Sequence, residues 1–540
     1  MGSKVYLYDT TLRDGTQGEG ISLSVEDKIK IAQRLDQFGI DFIEGGWPGS
    51  NPKDMAFFER IQEIPLKHAK ITAFGSTCRP HVKAAEDANL QALIASGAKV
   101  ASIFGKSWDL HVTDALKTTL EENLRMVSDS VSFLKSKGLT TMFLAEHFFD
   151  GYKANPDYAI KVLEAAQQAG ADWIVLCDTN GGSLPTEIYD IVKAVRGRLQ
   201  VPLGIHPHND SGVGVANALA AVQAGVTQVQ GTINGIGERC GNVNLVSVIP
   251  NLQLKMGYQC VSSEQLQGLT QLARYVAEIA NMVLPNNQPF VGYSAFAHKG
   301  GIHVSAVLRD PKTYEHIEPQ DIGNQRRVLV SELAGQSNLL AKMEELGIDI
   351  SLDREEARQI IKLIKEREFQ GYQYEGAEAS LTLILLEAAG KLKKLFSPDS
   401  FKILIEKSAD CSISSEATVK ISVNGETVHT AADGNGPVNA LDNAMRKALE
   451  PYFPCISRMS LTDYKVRVLD ESGATAAKVR VLIESACDGE KWSTVGVSTN
   501  VIEASWEALA DSIRYLLWKE GCEAPEKVTH PEERAGIVNH

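Results

Sequence analysis

What this chain lacks narrows what it can be. No apolar run approaches the ~20 residues needed to span a bilayer. The opening MGSKVYLYDT holds no apolar signal segment, and Tyr6 stands where a myristoylation signal needs Ser or Thr, so the expected location is the cytoplasm. The eight cysteines lie singly, at 78, 177, 240, 260, 411, 455, 487 and 522, with no CxxC pair. That spacing excludes a short disulfide framework and reads as reduced thiols. Positive charge is in deficit, with 54 Lys and Arg against 68 Asp and Glu and a net charge of −14. Neither nucleic acid nor an anionic membrane is therefore expected as the main partner, although a local basic pocket for a phosphorylated cofactor is compatible. No GxGxxG follows the first strand-like run and GxxxxGK[ST] is absent, which argues against dinucleotide and P-loop folds.

What is present is a regular alternation. A chain of 540 residues exceeds one hydrophobic core, so at least two domains are expected. Eight β-branched apolar runs recur in the first 240 residues, at VYLYDT, IDFIEGG, KITAFGST, VASIFGKS, TTMFLAEHF, WIVLCDT, PLGIHPHN and VQGTINGIG. Between them lie stretches of helical period such as VEDKIKIAQRLDQFG and PDYAIKVLEAAQQAG, which close on Gly as helix C-termini do. Eight βα units of this spacing predict an α/β fold, a (β/α)8 TIM barrel. The strands end on polar residues: Arg13 and Asp14, Glu44, Thr77, Lys106, Glu146 and His147, Asp178 and Thr179, His206 and His208, Asn234 and Glu238. In such a barrel these collect at the C-terminal rim, where catalytic sites sit.

His206 and His208 are two apart on a strand, so both imidazoles share a face. Asp14 adds a carboxylate just beyond the first strand, and Asn242, after the Gly-rich turn GIGERCGN, can add an amide oxygen. This mixed nitrogen and oxygen set suits a divalent metal ion (Mn, Mg, Zn or Co) and leaves positions open for substrate. Two histidines bonded to neighbouring backbone would give the same His-x-His spacing, so the surrounding strings carry more weight than the pair.

Those strings, DTTLRDGTQ from Asp9 to Gln17 and GIHPHNDSGVGVANALAAVQAGVTQVQGTINGIGERCGN from Gly204 to Asn242, resemble the signatures of the family of 2-isopropylmalate, homocitrate and citramalate synthases. That family shares its barrel with hydroxymethylglutaryl-CoA lyase and the pyruvate carboxylase transferase domain. The loops FGKSWDLHV and EHFFDGYKANP look most like its longer, citramalate-forming branch. The resemblance implies a metal-dependent Claisen condensation of acetyl-CoA with a 2-keto acid, pyruvate in that branch, followed by thioester hydrolysis to (R)-citramalate, the first step of the pyruvate route to isoleucine.

It also implies roles for residues. Asp14, His206, His208 and Asn242 become metal ligands, and Arg13, Gln17, Glu44, Glu146 and Thr179 surround the keto acid. Arg13 would stabilise the developing alkoxide, and Glu146 would activate the hydrolytic water or orient a neighbouring group. The base that deprotonates acetyl-CoA is not named by the sequence. Asn234, Gly235, Gly237 and Glu238 lie in the turn expected to seat CoA, while a plain barrel-closing turn would look alike. His298, in an HKGG string, and Tyr314, placed by spacing, become catalytic residues acting in a partner subunit, hence a homodimer. Phe104 and Phe143 are the side chains expected to narrow the keto-acid pocket.

The domains are expected at 1–275 for the barrel, 276–402 for linker and small helical subdomains, 403–525 for a C-terminal α+β regulatory or dimerisation domain, and 526–540 for a flexible tail. The C-terminal stretch repeats itself. VKISVNGETVHTAADGNGPVNALDNAMRKALE and VRVLIESACDGEKWSTVGVSTNVIEASWEALADSIRYLLWK each read as a ββα unit. By resemblance this is a regulatory module with isoleucine as effector, or else a dimerisation domain alone. The competing functions are the same condensation with 2-ketoisovalerate or 2-ketoglutarate, C–C cleavage as in the lyase relative, and a non-catalytic amino-acid-sensing barrel.

Overall fold

The computed structural model describes residues 3–329, 354–407, 413–469 and 477–523, with Leu339 and Met343. The helix read over SELAGQSNLLAKMEELGI and the tail 526–540 lie mostly or wholly outside these residues. The chain divides into two compact units, Met1–Phe296 with Glu315–Arg326, and Ala297–Tyr314 with Arg327–His540. Among the described residues, no helix is long and apolar enough to cross a membrane.

The first unit is a closed barrel of eight strands in chain order: β1 (Tyr6–Asp9), β2 (Phe42–Gly46), β3 (Lys70–Ser76), β4 (Val100–Lys106), β5 (Thr140–Glu146), β6 (Trp173–Asp178), β7 (Leu203–Pro207) and β8 (Gln228–Gly231). All are parallel, and β1 closes on β8 with Leu7 beside Val229. The helices between strands start where the sequence supplies caps. Ser24 and Asp27 form a reciprocal capping box at Val25–Phe38, and Asn51 and Asn155 each precede a Pro at the first helical position.

Strand period two sorts the side chains into two layers. Leu7, Ile43, Ala73, Ile103, Phe143, Ile174, Ile205 and Val229 pack outward with the helices. Tyr8, Phe42, Phe74, Val100, Met142, Leu144, Val175 and Cys177 form a separate inner cluster that fills the lumen. Phe143 therefore belongs to the outer layer, fully buried, and its ring occupies the space that a side chain at Gly105 would need. The expectation that Phe143 narrows the keto-acid pocket is corrected on this register: its neighbours Met142 and Leu144 face inward instead.

Segments of the other unit are built from hairpins. One three-stranded sheet holds β11 (Phe396–Lys407), β12 (Ile413–Val423) and β13 (Glu426–Gly434); another holds β14 (Ser460–Val468), β15 (Val479–Cys487) and β16 (Glu490–Ser498). A short parallel pair, β9 (Ala297–His298) and β10 (Arg327–Val328), precedes them. Each sheet is followed by a helix, Pro437–Leu449 or Val501–Lys519. The paired hairpins turn on Asn424-Gly425 and Asp488-Gly489, all four with positive φ, the type I′ geometry that such dipeptides favour. The repeat is thus βββα rather than ββα, because β11 and β14 each add a leading strand. The change of texture read at Ile403 falls inside β11.

One buried ion pair fixes the end of β2, where Glu44 projects. Lys28 bonds Asp54 and the carbonyl of Gly45, 3.1 Å away, while Asp54 accepts from the backbone N–H of Trp47 at 2.9 Å. Both charged side chains are nearly inaccessible to solvent. Removing one partner leaves the other charge buried and uncompensated, so Asp54→Ala should destabilise the barrel by about 3–5 kcal/mol. The expected readout is a lower urea midpoint for the barrel transition.

Candidate metal centre at the barrel mouth

Three buried side chains converge at the C-terminal rim. Asp14 follows β1, His206 lies within β7 and His208 just beyond it, and their ligand atoms lie within 4.8 Å of one another. His206 and His208 are two residues apart on the inward face, with ring centroids 5.2 Å apart, as strand period demands. Asp14 Oδ2 lies 3.2 Å from His206 Nε2.

The electrostatics favour ligands rather than a plain ion pair. Burial works against ionising Asp14, yet the Arg13 guanidinium and the His206 contact hold its carboxyl well below the usual carboxylate range. Burial, aided by His206, pushes His208 down to about 3. A neutral imidazole with a free lone pair is what a metal requires.

Asn242 arrives from the other side of the mouth. It forms an isolated antiparallel bridge with His208, and its Oδ1 is buried with no hydrogen-bond partner, as is Nδ1 of His208. Such orphaned buried acceptors are costly unless something binds them. A divalent cation shared with Asp14 and His206 fits this donor set of nitrogens and oxygens. The loop that delivers Asn242 is tightly wound. A Cβ at Gly237, whose φ is +157°, would meet Asn242 Nδ2 at 2.3 Å, and one at Gly241 would meet the carbonyl oxygen of Gly235 at 2.0 Å.

Behind the imidazoles stands a support that the sequence reading missed. His206 Nδ1 lies 3.2 Å from Gln230 Oε1, a contact that orients the imidazole with Nε2 toward Asp14. Gln230 in turn donates to Gln228 at 3.0 Å. Their spacing in TQVQGT, two amides on the inward face of an otherwise apolar strand, was the available signal.

Arg13 and Glu44 form the adjacent charged pair. Arg13 Nε donates to Glu44 Oε2 at 2.7 Å, and the guanidinium lies 3.8 Å from the centre of the Phe74 ring. Glu44 is fully buried and also accepts from the Tyr8 hydroxyl at 2.8 Å, with Ser102 Oγ at the same distance from that hydroxyl. Burial, and next the Glu44 charge, push the Tyr8 hydroxyl well up, so it remains a donor. Nothing in the sequence pattern singled out Tyr8.

The remaining candidates separate. Glu146 sits at the end of β5 in an ion pair with Lys106 of β4, directly across the register. The sequence places Lys106 at the rim without assigning it a role. Phe104 stacks on Phe74 with centroids 5.5 Å apart and meets Trp47 edge-on at 5.7 Å, forming an aromatic wall beside Arg13. Thr179 Oγ1 accepts from the His147 N–H at 2.9 Å. Gln17 is exposed on the turn after Asp14.

In the 232–242 loop, Asn234 donates its amide to the Ala273 carbonyl at 2.8 Å, Gly235 takes φ +70°, and Glu238 is exposed beside Arg239. Arg239, which the sequence did not flag, bonds Asp210 through two nitrogens at 2.8 and 3.0 Å and the Thr179 carbonyl at 2.7 Å. His298 and Tyr314 lie in the second unit. His298 is on β9, and Tyr314 is about half exposed against the His303 ring at 4.4 Å.

Comparison with known proteins bears on this geometry. Residues 4–276 match the HMGL-like family, 290–371 the homocitrate synthase post-HMGL domain-like family, and 375–517 the LeuA allosteric (dimerisation) domain. The (R)-citramalate synthase of Aquifex aeolicus is 58% identical over 522 residues, 96% of this chain and 99% of that protein. The chain belongs to the citramalate synthase family. Two further members are the (R)-citramalate synthases of Geobacter sulfurreducens, 56% identical over 96% of this chain and 98% of the relative, and of Synechocystis, 54% identical over 95% and 96%.

If Gln230 orients the His206 imidazole, Gln230→Leu should weaken divalent-metal binding about 10–100-fold while the circular dichroism spectrum stays unchanged. Isothermal titration with Mn or Co measures it. Unaltered affinity would show that His206 needs no such support.

Proposed function

We propose that the protein joins the acetyl group of acetyl-CoA to C2 of pyruvate and hydrolyses the resulting thioester, releasing (R)-citramalate and CoA. It is an acyltransferase that converts the acyl group into an alkyl group on transfer. Relatives of that name, aligned over nearly the whole chain, support the substrates. The observation that carries the chemistry is the buried Asp14, His206 and His208 cluster with the orphaned Asn242 oxygen beside it.

Asp14, His206, His208 and Asn242 would hold a divalent cation there, which when bound would supply Lewis-acid polarisation of the keto acid carbonyl. Arg13, charged and aimed by Glu44, offers guanidinium N–H donors to the oxygen on which negative charge develops. Because the Tyr8 hydroxyl, itself in contact with Ser102, holds Glu44 from behind, the arginine is positioned before substrate arrives. The aromatic wall of Phe104, Phe74 and Trp47 limits the space beside Arg13, which suits a methyl better than a branched chain. After condensation, a Glu146 carboxylate oxygen takes a proton from the water that attacks the thioester, with Lys106 as its counter-ion.

The loop holding Asn234, Gly235, Gly237 and Glu238 is assigned to CoA, and Thr179 and Gln17 to the keto-acid side. His298 and Tyr314 act across a homodimer, a reading supported by the post-HMGL match over residues 290–371. The allosteric domain match over 375–517 supports feedback control by isoleucine, the end product of the pathway this reaction opens. The scattered thiols agree with a cytoplasmic setting.

In a thiol-release assay, chelator-treated protein should be inactive and recover with Mn or Mg. Pyruvate should give the highest kcat/KM among several keto acids; a clear preference for 2-ketoisovalerate would overturn the acceptor assignment. Phe104→Ala should shift the ratio toward 2-ketoisovalerate by about 10–200-fold. Isoleucine should lower the rate of the full chain, and a chain ending before β11 should show no such response.

A further inference from the structure

Two thiols in the second unit meet where no catalytic role requires them. Cys455 Sγ and Cys522 Sγ are 3.8 Å apart, one donating to the other, and both are half-buried. The other described cysteines are Cys78, Cys177, Cys260 and Cys487, all buried, and the exposed Cys240.

The closeness is enforced on both sides. Cys455 lies in the short turn Pro454–Arg458, between the helix Pro437–Leu449 and β14. Arg446 grips that turn through the carbonyls of Ile456 and Met459, at 3.0 and 2.7 Å. Arg458, at its end, donates to Glu520 at 2.7 Å, two residues before Cys522. Cys522 itself follows Gly521, whose φ is +64°, and its N–H closes back on the Leu517 carbonyl at 3.0 Å, the cap expected after the helix Val501–Lys519. Both backbones are therefore held in place from the flanking residues, with the two sulfurs facing each other at 3.8 Å.

Cys522 also lines a cavity of about 650 Å³, of the size that takes small molecules. Its wall carries Lys391, Lys393, Lys394 and Arg514 around the apolar floor of Phe396 and Trp518. Among them, Lys393 pairs with Glu523, Lys394 with Glu387 and Arg514 with Asp511. The first two pairs are exposed and weak, so a bound anion can displace them.

We propose that Cys455 and Cys522 form a dithiol site that an anionic low-molecular-weight disulfide, entering this cavity, oxidises to an intramolecular disulfide. Burial and the neighbouring sulfur push the Cys455 thiol up to about 11, which keeps it protonated at neutral pH. Entry therefore falls to Cys522, the member of the pair on the cavity wall. Its thiolate attacks one sulfur of the small disulfide, breaking that S–S bond and releasing one small thiol, which takes up a proton. Cys455, on losing its proton, attacks the Cys522 sulfur of the mixed disulfide and expels the second small thiol. The protein loses two electrons and two protons, and the small disulfide gains them. The bond joins the last helix of the second repeat to the turn that ends the first.

The test uses the reduced full-length protein with oxidised glutathione, which is anionic, and with bis(2-hydroxyethyl) disulfide, which is neutral, followed by non-reducing peptide mapping. The expected product is a Cys455–Cys522 cross-linked peptide free of glutathione and reversible by dithiothreitol. It should form about ten-fold faster with oxidised glutathione than with the neutral reagent. Cys455→Ser should trap one glutathione on Cys522, which keeps the test informative whatever the fate of the disulfide. Equal rates with the two reagents would overturn the anion selectivity of the cavity. A stable glutathione adduct on Cys522 of the unsubstituted protein, or reaction at Cys240 with this pair untouched, would overturn the dithiol site.

Discussion

The barrel mouth is organised around the electrostatic cost of burying a carboxylate among two imidazoles and an arginine. Asp14 is almost inaccessible to solvent, and the Arg13 charge, followed by the two imidazoles, favours its ionised form against that burial. That requirement spreads outward. Arg13 needs Glu44, which needs the Tyr8 hydroxyl, and the end of β2 that presents Glu44 is in turn fixed by the Lys28 and Asp54 pair. Glu44 at the end of β2 is met by Arg13 and Tyr8 from β1 and the turn after it, and Asp14 by His206 from β7, so the site exists only in the closed barrel.

How much of this could be read beforehand follows from what period and spacing encode. Eight strands, their order along the chain and the rim residues were legible, because parallel βα units leave apolar runs with polar ends. The His206 and His208 pair was legible from strand alternation. Phe143 was misplaced because a barrel strand is apolar on both faces, so alternation between two hydrophobic layers leaves no trace in the residue types. Tyr8 was missed for the same reason: a tyrosine inside an apolar strand looks like core until Glu44 is seen against its hydroxyl. Lys106 was visible at the rim, but its pairing with Glu146 depends on the β4 and β5 register, which one sequence does not state.

The C-terminal module shows the opposite balance. Its turns were fixed by local chemistry, since Asn-Gly and Asp-Gly between apolar strands leave one economical hairpin geometry, and the structure has it twice. Its leading strands were not legible in full. β11 carries exposed Leu404 and Ile405 near its end, so its pattern lacks the clean alternation of β12, where Ala417, Val419 and Ile421 point into the core. Strands of mixed exposure are where sequence periodicity carries least information.

The filled lumen has a kinetic meaning. Phe42, Phe74, Val100, Met142 and Val175 plug the barrel beneath the rim, so the reaction chamber is a cup with a floor and one opening. A cup imposes a queue. In a cup with one opening, whatever seats lowest enters first and leaves last.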